Sequence, residues 1–177
     1  MLKEYYPYEY VKSVFAIDYK RLWQMGFCGL IFDVDNTLVH HGDDSNEKVD
    51  RFFAKLHKMG FKTCLLSDNE KSRVERFNKN IQTLYICDAG KPDPAGYGKA
   101  IELMGVEKSR AVVIGDQIIT DIHGANNAGL PSILVHFIRL PYEKRIGIRR
   151  YVEFFVMWTW KHRKKYRYRL GDIRRRK

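Results

Sequence analysis

Two aspartates one residue apart, Asp33 and Asp35, follow a short apolar run near the start of this 177-residue chain. The run, residues 28–32, is typical of a strand that is buried on both faces, as in a parallel sheet. Carboxylates are costly to bury unless they are paired or bind a metal, and ligands of open α/β sheets bind beyond the carboxyl ends of the strands. Side chains at positions i and i+2 lie on the same side of a strand. Both aspartates can therefore face one metal ion or one phosphorus atom, whereas a role as a turn or helix cap would need only one of them.

Further polar side chains follow the next strand-like runs, residues 61–66 and 111–115, or lie in the AGKPDP loop between them. These residues are Ser67, Asp68, Asn69, Lys91, Asp116 and Asp121. Phosphoryl transfer through an aspartyl phosphate requires a carboxylate nucleophile and a second carboxyl group for proton transfer. It also requires a cation that neutralises phosphate and acids that hold Mg²⁺. The chain contains all of these groups in order, which favours a Mg²⁺-dependent phosphatase.

The segment Asp33-Val34-Asp35-Asn36-Thr37 resembles the D-x-D-x-T motif that opens the haloacid-dehalogenase (HAD) superfamily of phosphatases. The resemblance implies that Asp33 is the nucleophile and Asp35 the general acid/base, and that Lys91 stabilises the charge of the phosphoryl group. The substrate-binding residues that it implies are Thr37, Ser67, Asp68, Asn69 and Lys91. The Mg²⁺ ligands that it implies are the carboxylate of Asp33, the main-chain carbonyl of Asp35, and Asp116, with Asp121 in support.

A closer resemblance extends over most of the chain. The segments PYEYVKSVFAID, FDVDNTLV, LLSDN, AGKPDP and GDQIITDIHGANNAG are similar to those of YqeG-type phosphatases of the HAD-IIIA family. That group includes phosphatidylglycerophosphate phosphatases, which remove a terminal phosphate to make phosphatidylglycerol. The resemblance implies this lipid substrate, which nothing in the periodicity or spacing shows. Two alternatives stay open: a HAD phosphatase that acts on nucleic-acid ends or small phosphate esters, and a non-catalytic basic binding module on a HAD scaffold.

The alternation of strand-like and helix-like segments predicts a HAD-like α/β fold with a doubly wound, Rossmann-like parallel sheet of about five strands. Strands are expected near residues 29–34, 61–66, 84–87, 111–115 and 132–136. Helices are expected near residues 46–59, 70–80, 94–105 and 119–128, after a leading helical segment at Tyr8 to Met25.

Short gaps between the motifs leave no room for a cap domain, which larger HAD enzymes insert after the first motif or between the second and third. Residues 38–45 lie between the first motif and the next expected helix. Residues 68–90, between Ser67 and Lys91, are enough for only one helix and one strand. The site is therefore expected to be open to a bulky substrate. His40 and His41, in the loop after the first motif, are candidates for contact with it.

Formal charge divides the chain at residue 141. Residues 1–141 contain 18 Lys or Arg and 18 Asp or Glu, whereas residues 142–177 contain 14 Lys or Arg and three acids. The net charge of +11 therefore lies in the C-terminal 36 residues. We expect a HAD-like phosphatase domain at residues 1–141 and a basic, aromatic extension at residues 142–177.

Within this extension the mostly apolar run YVEFFVMWTW, residues 151–160, is too short to cross a bilayer, which takes about 20 helical residues. Three interpretations stay open: a helix packed on the body with a solvated basic end, an interfacial segment on anionic lipid, and a nucleic-acid-binding segment. The resemblance to phospholipid phosphatases favours the membrane surface, with Trp158 and Trp160 anchored in the headgroup layer. Residues 161–177 would then contribute to membrane binding and not to catalysis.

No signal peptide or transmembrane run is visible in the sequence, since residues 1–10 are aromatic and polar. Cys28, Cys64 and Cys87 are odd in number and lack CxxC spacing, which is typical of free thiols in a reducing compartment. We therefore expect a cytoplasmic protein, attached peripherally to the inner membrane face if its tail binds lipid.

Overall fold

A six-stranded, fully parallel sheet runs through the part of the chain that the computed structural model describes, residues 2–139, 147–171 and 173–174. Its strands are β1 (Glu9–Val11), β2 (Gly29–Phe32), β3 (Lys62–Leu66), β4 (Leu84–Ile86), β5 (Ala111–Gly115) and β6 (Ser132–Val135). Their order across the sheet is β1-β6-β5-β2-β3-β4. The predicted doubly wound α/β architecture is confirmed, and the four strands that precede the motif residues are neighbours.

Helices cover both faces of the sheet. They are α1 (Tyr19–Gln24), α2 (Glu47–Lys58), α3 (Lys71–Asn78), α4 (Pro94–Met104), α5 (His123–Asn127) and α6 (Ile148–His162). Asn46 caps α2 by accepting a hydrogen bond from the Val49 N–H, and Asp93 caps α4 in the same way from Ala95. The last of the four helices predicted before residue 130 begins as a π-helix, Ile118–Ile122, before it continues as α5.

Side chains alternate along the central strands and divide the core into two layers. In β2, Leu30 and Phe32 face the layer that includes residues of α1, α2 and α3, whereas Ile31 faces the layer that includes residues of α4 and α5. All four residues of β2 are buried, which explains the continuous apolar run. The next residue, Asp33, is therefore delivered to the carboxyl edge of the sheet.

The sheet has six strands because β1 forms within the segment that the sequence predicts as a leading helix. Val11 of β1 lies opposite Val135 of β6 in a parallel register. Ser13 then caps a short 3₁₀ helix and Asp18 caps α1, so the α-helix is confined to the end of the segment. The helical prediction for Tyr8 to Met25 is confirmed only for Tyr19–Gln24. It is wrong for β1, because pairing with the open edge of β6 outweighs the helical spacing of the apolar residues.

The predicted absence of a cap domain holds for the segments between the motifs, which the structure describes completely. Residues 38–46 form the connection to α2, and residues 68–90 contain only α3 and β4. No independent domain is inserted into either segment.

The described part of the C-terminal segment packs on the body. Val156 and Trp160 of α6 are buried against β6 and the π-helix. Beyond α6 the chain turns back, and Leu170 and Ile173 join the core layer of α1 and α2. The Leu170 N–H donates to Glu9 Oε1 at 3.0 Å. Leu170 and Ile173 thus belong to the core, and the predicted boundary between residues 141 and 142 lies outside the described residues.

Trp160 is not a membrane anchor, contrary to the expectation from the sequence. Its side chain is 1% exposed, and its indole N–H donates to the carbonyl oxygens of Pro7 at 3.0 Å and Tyr166 at 2.9 Å. Trp158 is exposed because two residues differ by about 200° around an α-helix. Within the described ranges, no helix has both the length and the apolar character needed to cross a membrane.

Candidate active site

Four neighbouring strands bring the motif residues to one edge of the sheet. Asp33, Ser67 and Asp116 directly follow β2, β3 and β5, and Lys91 lies in the loop after β4. Because the strands are parallel, the residues that follow them share the carboxyl edge, where α/β sheets bind their ligands. The topology thus places residues from four distant parts of the sequence side by side.

Asp33 lies at this edge with both carboxylate oxygens hydrogen-bonded. Lys91 Nζ donates to Asp33 Oδ1 at 2.6 Å, and Thr37 Oγ1 donates to Asp33 Oδ2 at 2.7 Å. Burial, followed by the charge of Asp121, raises the pKa of Asp33 to about 6, even though Lys91 opposes the shift. At neutral pH the carboxylate is therefore ionised and held by two donors, as a nucleophile must be.

A tight turn returns Thr37 to the aspartate that begins the motif. Asn36 has a φ of +64°, a left-handed conformation that asparagine adopts more readily than most residues. The Asn36 side chain accepts a hydrogen bond from the His41 N–H at 3.1 Å. The hydroxyl oxygen of Thr37 also lies 3.1 Å from Asp116 Oδ1, so this residue contacts the carboxylates that follow β2 and β5.

Asp33, Asp116 and Asp121 form a buried acidic cluster, in which one carboxylate oxygen of each residue lies within 4.8 Å of the others. Lys91 Nζ donates to Asp121 Oδ1 at 2.7 Å. Burial and the charges of Asp33 and Asp121 raise the pKa of Asp116 well above its ordinary value. Burial alone would lower the pKa of Lys91, but Asp121 and Asp33 raise it well above its ordinary value. Three buried carboxylates at one point have the ligand chemistry of a divalent-metal site.

The π-helix and a glycine allow Asp121 to reach the cluster. The Gln117 N–H donates to Asp121 Oδ2 at 3.0 Å, which fixes the carboxylate above the start of the turn. A Cβ atom at Gly115 would lie 2.5 Å from the Cβ of Asp121. The last residue of β5 must therefore be glycine for this carboxylate to lie where it does. Short π-helical turns are frequent at functional sites.

Asp35 contacts a separate set of partners. Asn69 Nδ2 donates to its Oδ2 at 2.5 Å, and the Gly42 N–H and Arg73 Nη2 donate to its Oδ1 at 3.0 Å and 3.1 Å. Burial raises the pKa of Asp35, but the hydrogen bonds from Asn69 and Gly42 and the charge of Arg73 outweigh it and lower that pKa. Of the two loop histidines, His41 is exposed, with Nδ1 3.6 Å from Asp35 Oδ2.

Arg73, on α3, was not among the residues expected from the sequence. Its side chain is buried, and Nη2 also donates to the carbonyl oxygen of Asp43 at 2.6 Å. A buried guanidinium requires a carboxylate partner, which here is Asp35. Its place in the first turn of the helix after Ser67 is a signal that could have identified it, because that turn lies at the carboxyl edge of the sheet.

The residues that follow β3 connect neighbouring loops. Asn69 donates to Ser67 Oγ through its main-chain N–H at 3.2 Å and through Nδ2 at 3.0 Å. Asp68 Oδ1 accepts a hydrogen bond from the Lys91 N–H at 2.9 Å. Asn69 thus connects Ser67 with Asp35, and Asp68 holds the lysine loop. Their roles in substrate binding stay predictions.

Arg150, in the first turn of α6, adds a cation to the acidic cluster and was not expected from the sequence. Its Nη1 donates to the carbonyl oxygen of Asp116 at 2.8 Å, and its Nη2 donates to the carboxylate of that residue. Glu153 accepts from Arg150 Nη1 at 2.8 Å and from the Ile118 N–H at 2.7 Å. An acid inside the apolar run of α6 was the available signal, since a buried glutamate requires partners of this kind.

Comparisons with known proteins agree with this geometry. Residues 40–129 match a family model of haloacid dehalogenase-like hydrolases. The chain is 34% identical over 137 residues to the probable phosphatase YqeG of Bacillus subtilis. This alignment covers 76% of this chain and 80% of that protein. The chain is 20% identical over 147 residues to the glyceraldehyde 3-phosphate phosphatase of Pyrococcus furiosus, which covers 75% of this chain and 60% of that protein.

Solved structures with the same fold include an uncharacterized protein from Listeria monocytogenes serotype 4b. It superposes with a TM-score of 0.53 at 19% identity, over 69% of this chain and 87% of that chain. The cobalt-bound deoxy-D-mannose-octulosonate 8-phosphate phosphatase from Haemophilus influenzae superposes with a TM-score of 0.50 at 14% identity, over 80% of this chain and 92% of that chain. At these identities the likeness shows the fold alone.

Proposed function

Because this chain belongs to the haloacid dehalogenase-like hydrolases and is a phosphatase, we propose that it hydrolyses phosphomonoesters through an aspartyl phosphate on Asp33. We propose Mg²⁺ as the cofactor and phosphatidylglycerophosphate as the substrate. The observation that carries the proposal is the environment of Asp33, a buried carboxylate held by Lys91 and Thr37 beside two further carboxylates. A nucleophile, a cation for the phosphoryl oxygens and a group of metal ligands are thus within one small volume.

The acidic cluster fits Mg²⁺. Its donors are three carboxylates, and carboxylate oxygens are ligands that Mg²⁺ prefers. The main-chain carbonyl of Asp35 would add a fourth oxygen. When all three carboxyl groups are ionised, as metal binding requires, their charges together with those of Lys91 and Arg150 sum to −1, which repels phosphate. Bound Mg²⁺ would reverse that sign and would supply Lewis-acid stabilisation of the phosphoryl oxygens.

In the first half of the proposed reaction, a carboxylate oxygen of Asp33 attacks phosphorus in line with the leaving group. The bond between phosphorus and the ester oxygen breaks, and Asp35 gives its proton to that oxygen. Lys91 Nζ, which contacts Asp33 at 2.6 Å, remains beside the new bond and neutralises charge on the phosphoryl oxygens. Thr37 holds the second carboxylate oxygen of Asp33 and so fixes the direction of attack.

In the second half, Asp35 takes a proton from water as that water attacks phosphorus. The bond between phosphorus and the Asp33 oxygen breaks, and the free carboxylate is restored. The partners of Asp35 lower its pKa and so favour the ionised form that this step requires. The first step requires the protonated form, so one residue alternates between the two states.

The lipid substrate is supported by the open carboxyl edge of the sheet. Residues 38–46 and 68–90 contain no cap domain that would enclose a small ester. Binding energy for such an ester therefore has few sources, whereas a lipid headgroup at a membrane contacts a larger surface. Enclosure and positioning are what small substrates depend on for a high rate.

One observation favours a second candidate, a phosphatase of small soluble esters. The Pyrococcus furiosus relative is named as a glyceraldehyde 3-phosphate phosphatase, and its alignment covers 75% of this chain. A non-catalytic binding module is disfavoured on physical grounds. Three buried carboxylates at one point are costly for the fold, and a scaffold without a catalytic function has no reason to retain them.

A phosphate-release panel with Mg²⁺ tests the proposal. It compares micellar phosphatidylglycerophosphate with sugar phosphates, nucleotides and 3′-phosphorylated DNA, with the Asp33→Asn variant as the background. We expect the highest kcat/KM for the lipid. A much higher kcat/KM for a soluble ester or a DNA end would remove the lipid assignment and leave the phosphatase assignment intact.

A further inference from the structure

Helix α6 has two chemically different faces. Its inner face is buried and includes Glu153, Val156 and Trp160, which are 7%, 4% and 1% exposed. Four aromatic residues form its outer face, which we call the aromatic face: Tyr151, Phe154, Phe155 and Trp158. Their exposed fractions lie between 48% and 61%. Their spacing of three and four residues places them along one side of the helix.

The aromatic face is a continuous apolar patch. The rings of Phe155 and Trp158 stack with centroids 6.2 Å apart, and those of Tyr151 and Phe154 meet edge to face at 6.5 Å. Val152, beside them, is also exposed. In the described part of the chain, other exposed large apolar side chains are spread over several elements. Contiguous exposed apolar patches mark surfaces that contact another molecule or a membrane.

Charge around the aromatic face selects the partner. Exposed cations flank it on both sides along the chain: Arg149, Lys161, Arg163, Lys164 and Lys165. Residues 147–171 contain a single acidic residue, Glu153, which is buried and paired with Arg150. A second copy of this chain would bring like charges together at the same place. An anionic surface complements both the apolar centre and the cationic rim.

The aromatic face adjoins the catalytic edge of the sheet. Arg150, which contacts Asp116, directly precedes Tyr151. Phe154 lines a cleft of about 160 Å³ together with Asp116, Arg150 and Lys161. A surface that contacts the aromatic face would therefore lie beside the metal-site carboxylates.

We propose that the aromatic face of α6 docks on an anionic phospholipid bilayer and presents the catalytic edge to it. The inference rests on the proposed function for its lipid substrate. Tyrosine and tryptophan side chains favour the headgroup layer, and a helix with an aromatic face and a basic rim can lie in the plane of the interface. The anchor is Trp158 with its aromatic neighbours, in place of the buried Trp160.

Vesicle flotation of the full chain tests the proposal. Phosphatidylcholine vesicles with and without phosphatidylglycerol are compared for the wild type and for a Phe155→Ser, Trp158→Ser double variant. Leu103→Ser, on helix α4, is the control because Leu103 is a similarly exposed apolar residue. We expect binding only to the anionic vesicles, about tenfold weaker for the double variant and unchanged for the control. Circular dichroism verifies that each variant is folded.

Equal flotation of the double variant and the wild type would overturn the proposal. Tight DNA binding that is lost in the double variant, without flotation of the wild type, would assign the face to nucleic acid. Concentration-dependent dimerisation without flotation would assign it to a second copy. The proposed function fails separately: if the wild type floats but releases no phosphate from any ester, docking is retained and the catalytic assignment is not.

Discussion

Arg150 holds Asp116 at two points, its main-chain carbonyl oxygen and its carboxylate, although 34 residues separate them in the sequence. The guanidinium contacts Oδ2 of that carboxylate, and the Thr37 hydroxyl lies 3.1 Å from Oδ1. A side chain that is held at both oxygens keeps one orientation. Helix α6 thus fixes a candidate metal ligand, Asp116, which directly follows β5. Asp33 follows β2, the strand next to β5 in the sheet.

Replacement of Arg150 by alanine is expected to lower kcat/KM by about 10- to 100-fold, because loss of a partner that orients a metal ligand has effects of that size. The Mg²⁺ concentration for half-maximal activity should rise, since Asp116 would rotate freely. A Mg²⁺ titration of phosphate release measures both effects. Arg149→Ala is the matched control for the Mg²⁺ requirement, because the Arg149 side chain is exposed. An unchanged Mg²⁺ requirement in Arg150→Ala would contradict the positioning role.

Asp33→Asn is expected to reduce phosphatase activity to background. Asparagine retains the volume of the side chain and an acceptor for Thr37, but it lacks the charged oxygen that attacks phosphorus. Phosphate release from any active substrate measures the loss. Asp88→Asn, at an exposed position, removes the same charge and should retain wild-type turnover. Near wild-type turnover by Asp33→Asn would falsify the nucleophile assignment.

The pH dependence of activity should follow the ionisation of Asp33, whose pKa is raised from 3.8 to about 6 by burial and by Asp121. Below about pH 6 the carboxylate is protonated and cannot attack, so kcat/KM at low Mg²⁺ should fall as the pH decreases through this value. Added Mg²⁺ competes with the proton and should move the fall to lower pH.

The same shift links stability to pH. A raised carboxyl pKa means that the folded state binds the proton more tightly, so the contribution of Asp33 to stability declines as the pH rises from 3.8 to about 6. Bound Mg²⁺ would offset that loss, and the proposed site would bind it only when the carboxylates are ionised. Melting temperatures with and without Mg²⁺ should therefore differ more at neutral pH than well below pH 6. An equal difference at both would be evidence against metal binding by this cluster.

Ile173→Ala is expected to destabilise the fold, although the residue lies in the segment that the sequence assigns to membrane binding. Ile173 is fully buried, and truncation of a buried isoleucine costs about 2–5 kcal/mol. For a chain of this size the melting temperature should fall by roughly 10 °C. Lys165→Ala, at an exposed position in the same segment, should melt like the wild type. Equal melting temperatures would show that Ile173 does not belong to the core.

The parts of the fold that could be predicted from the sequence are those with local signals. The buried strand before Asp33 is predicted by its continuous apolar run, and α2 by its helical spacing of apolar residues and its N-cap, Asn46. Strand β1 has no such signal, since its three residues become a strand only by pairing with β6. Trp160 was misassigned for the same reason, because its partners Pro7 and Tyr166 are set by tertiary packing.

The candidate site divides in the same way. Asp33, Lys91 and Asp116 were expected because each follows a strand-like run, and parallel topology alone brings such residues together. Arg73 and Arg150 lie on helices, where a single cation usually belongs to a solvated surface. Their function depends on the direction in which each helix approaches the carboxyl edge, which sequence spacing does not specify. The structure identifies both through their ion pairs, of Arg73 with Asp35 and of Arg150 with Asp116.

The contact between Leu170 and Glu9 has a consequence for how the chain reaches its native state. The first strand receives a partner from the C-terminal segment, 161 residues away in the sequence. Contacts of such long separation form late, since loop closure must precede any gain from them. The core layer that contains residues of α1 and α2 is therefore complete only after Leu170 and Ile173 have packed into it. A ribosome-bound fragment that has already formed β2 to β5 would contain most of the proposed catalytic side chains yet lack Arg150, so we expect full activity only after the C-terminal segment has packed.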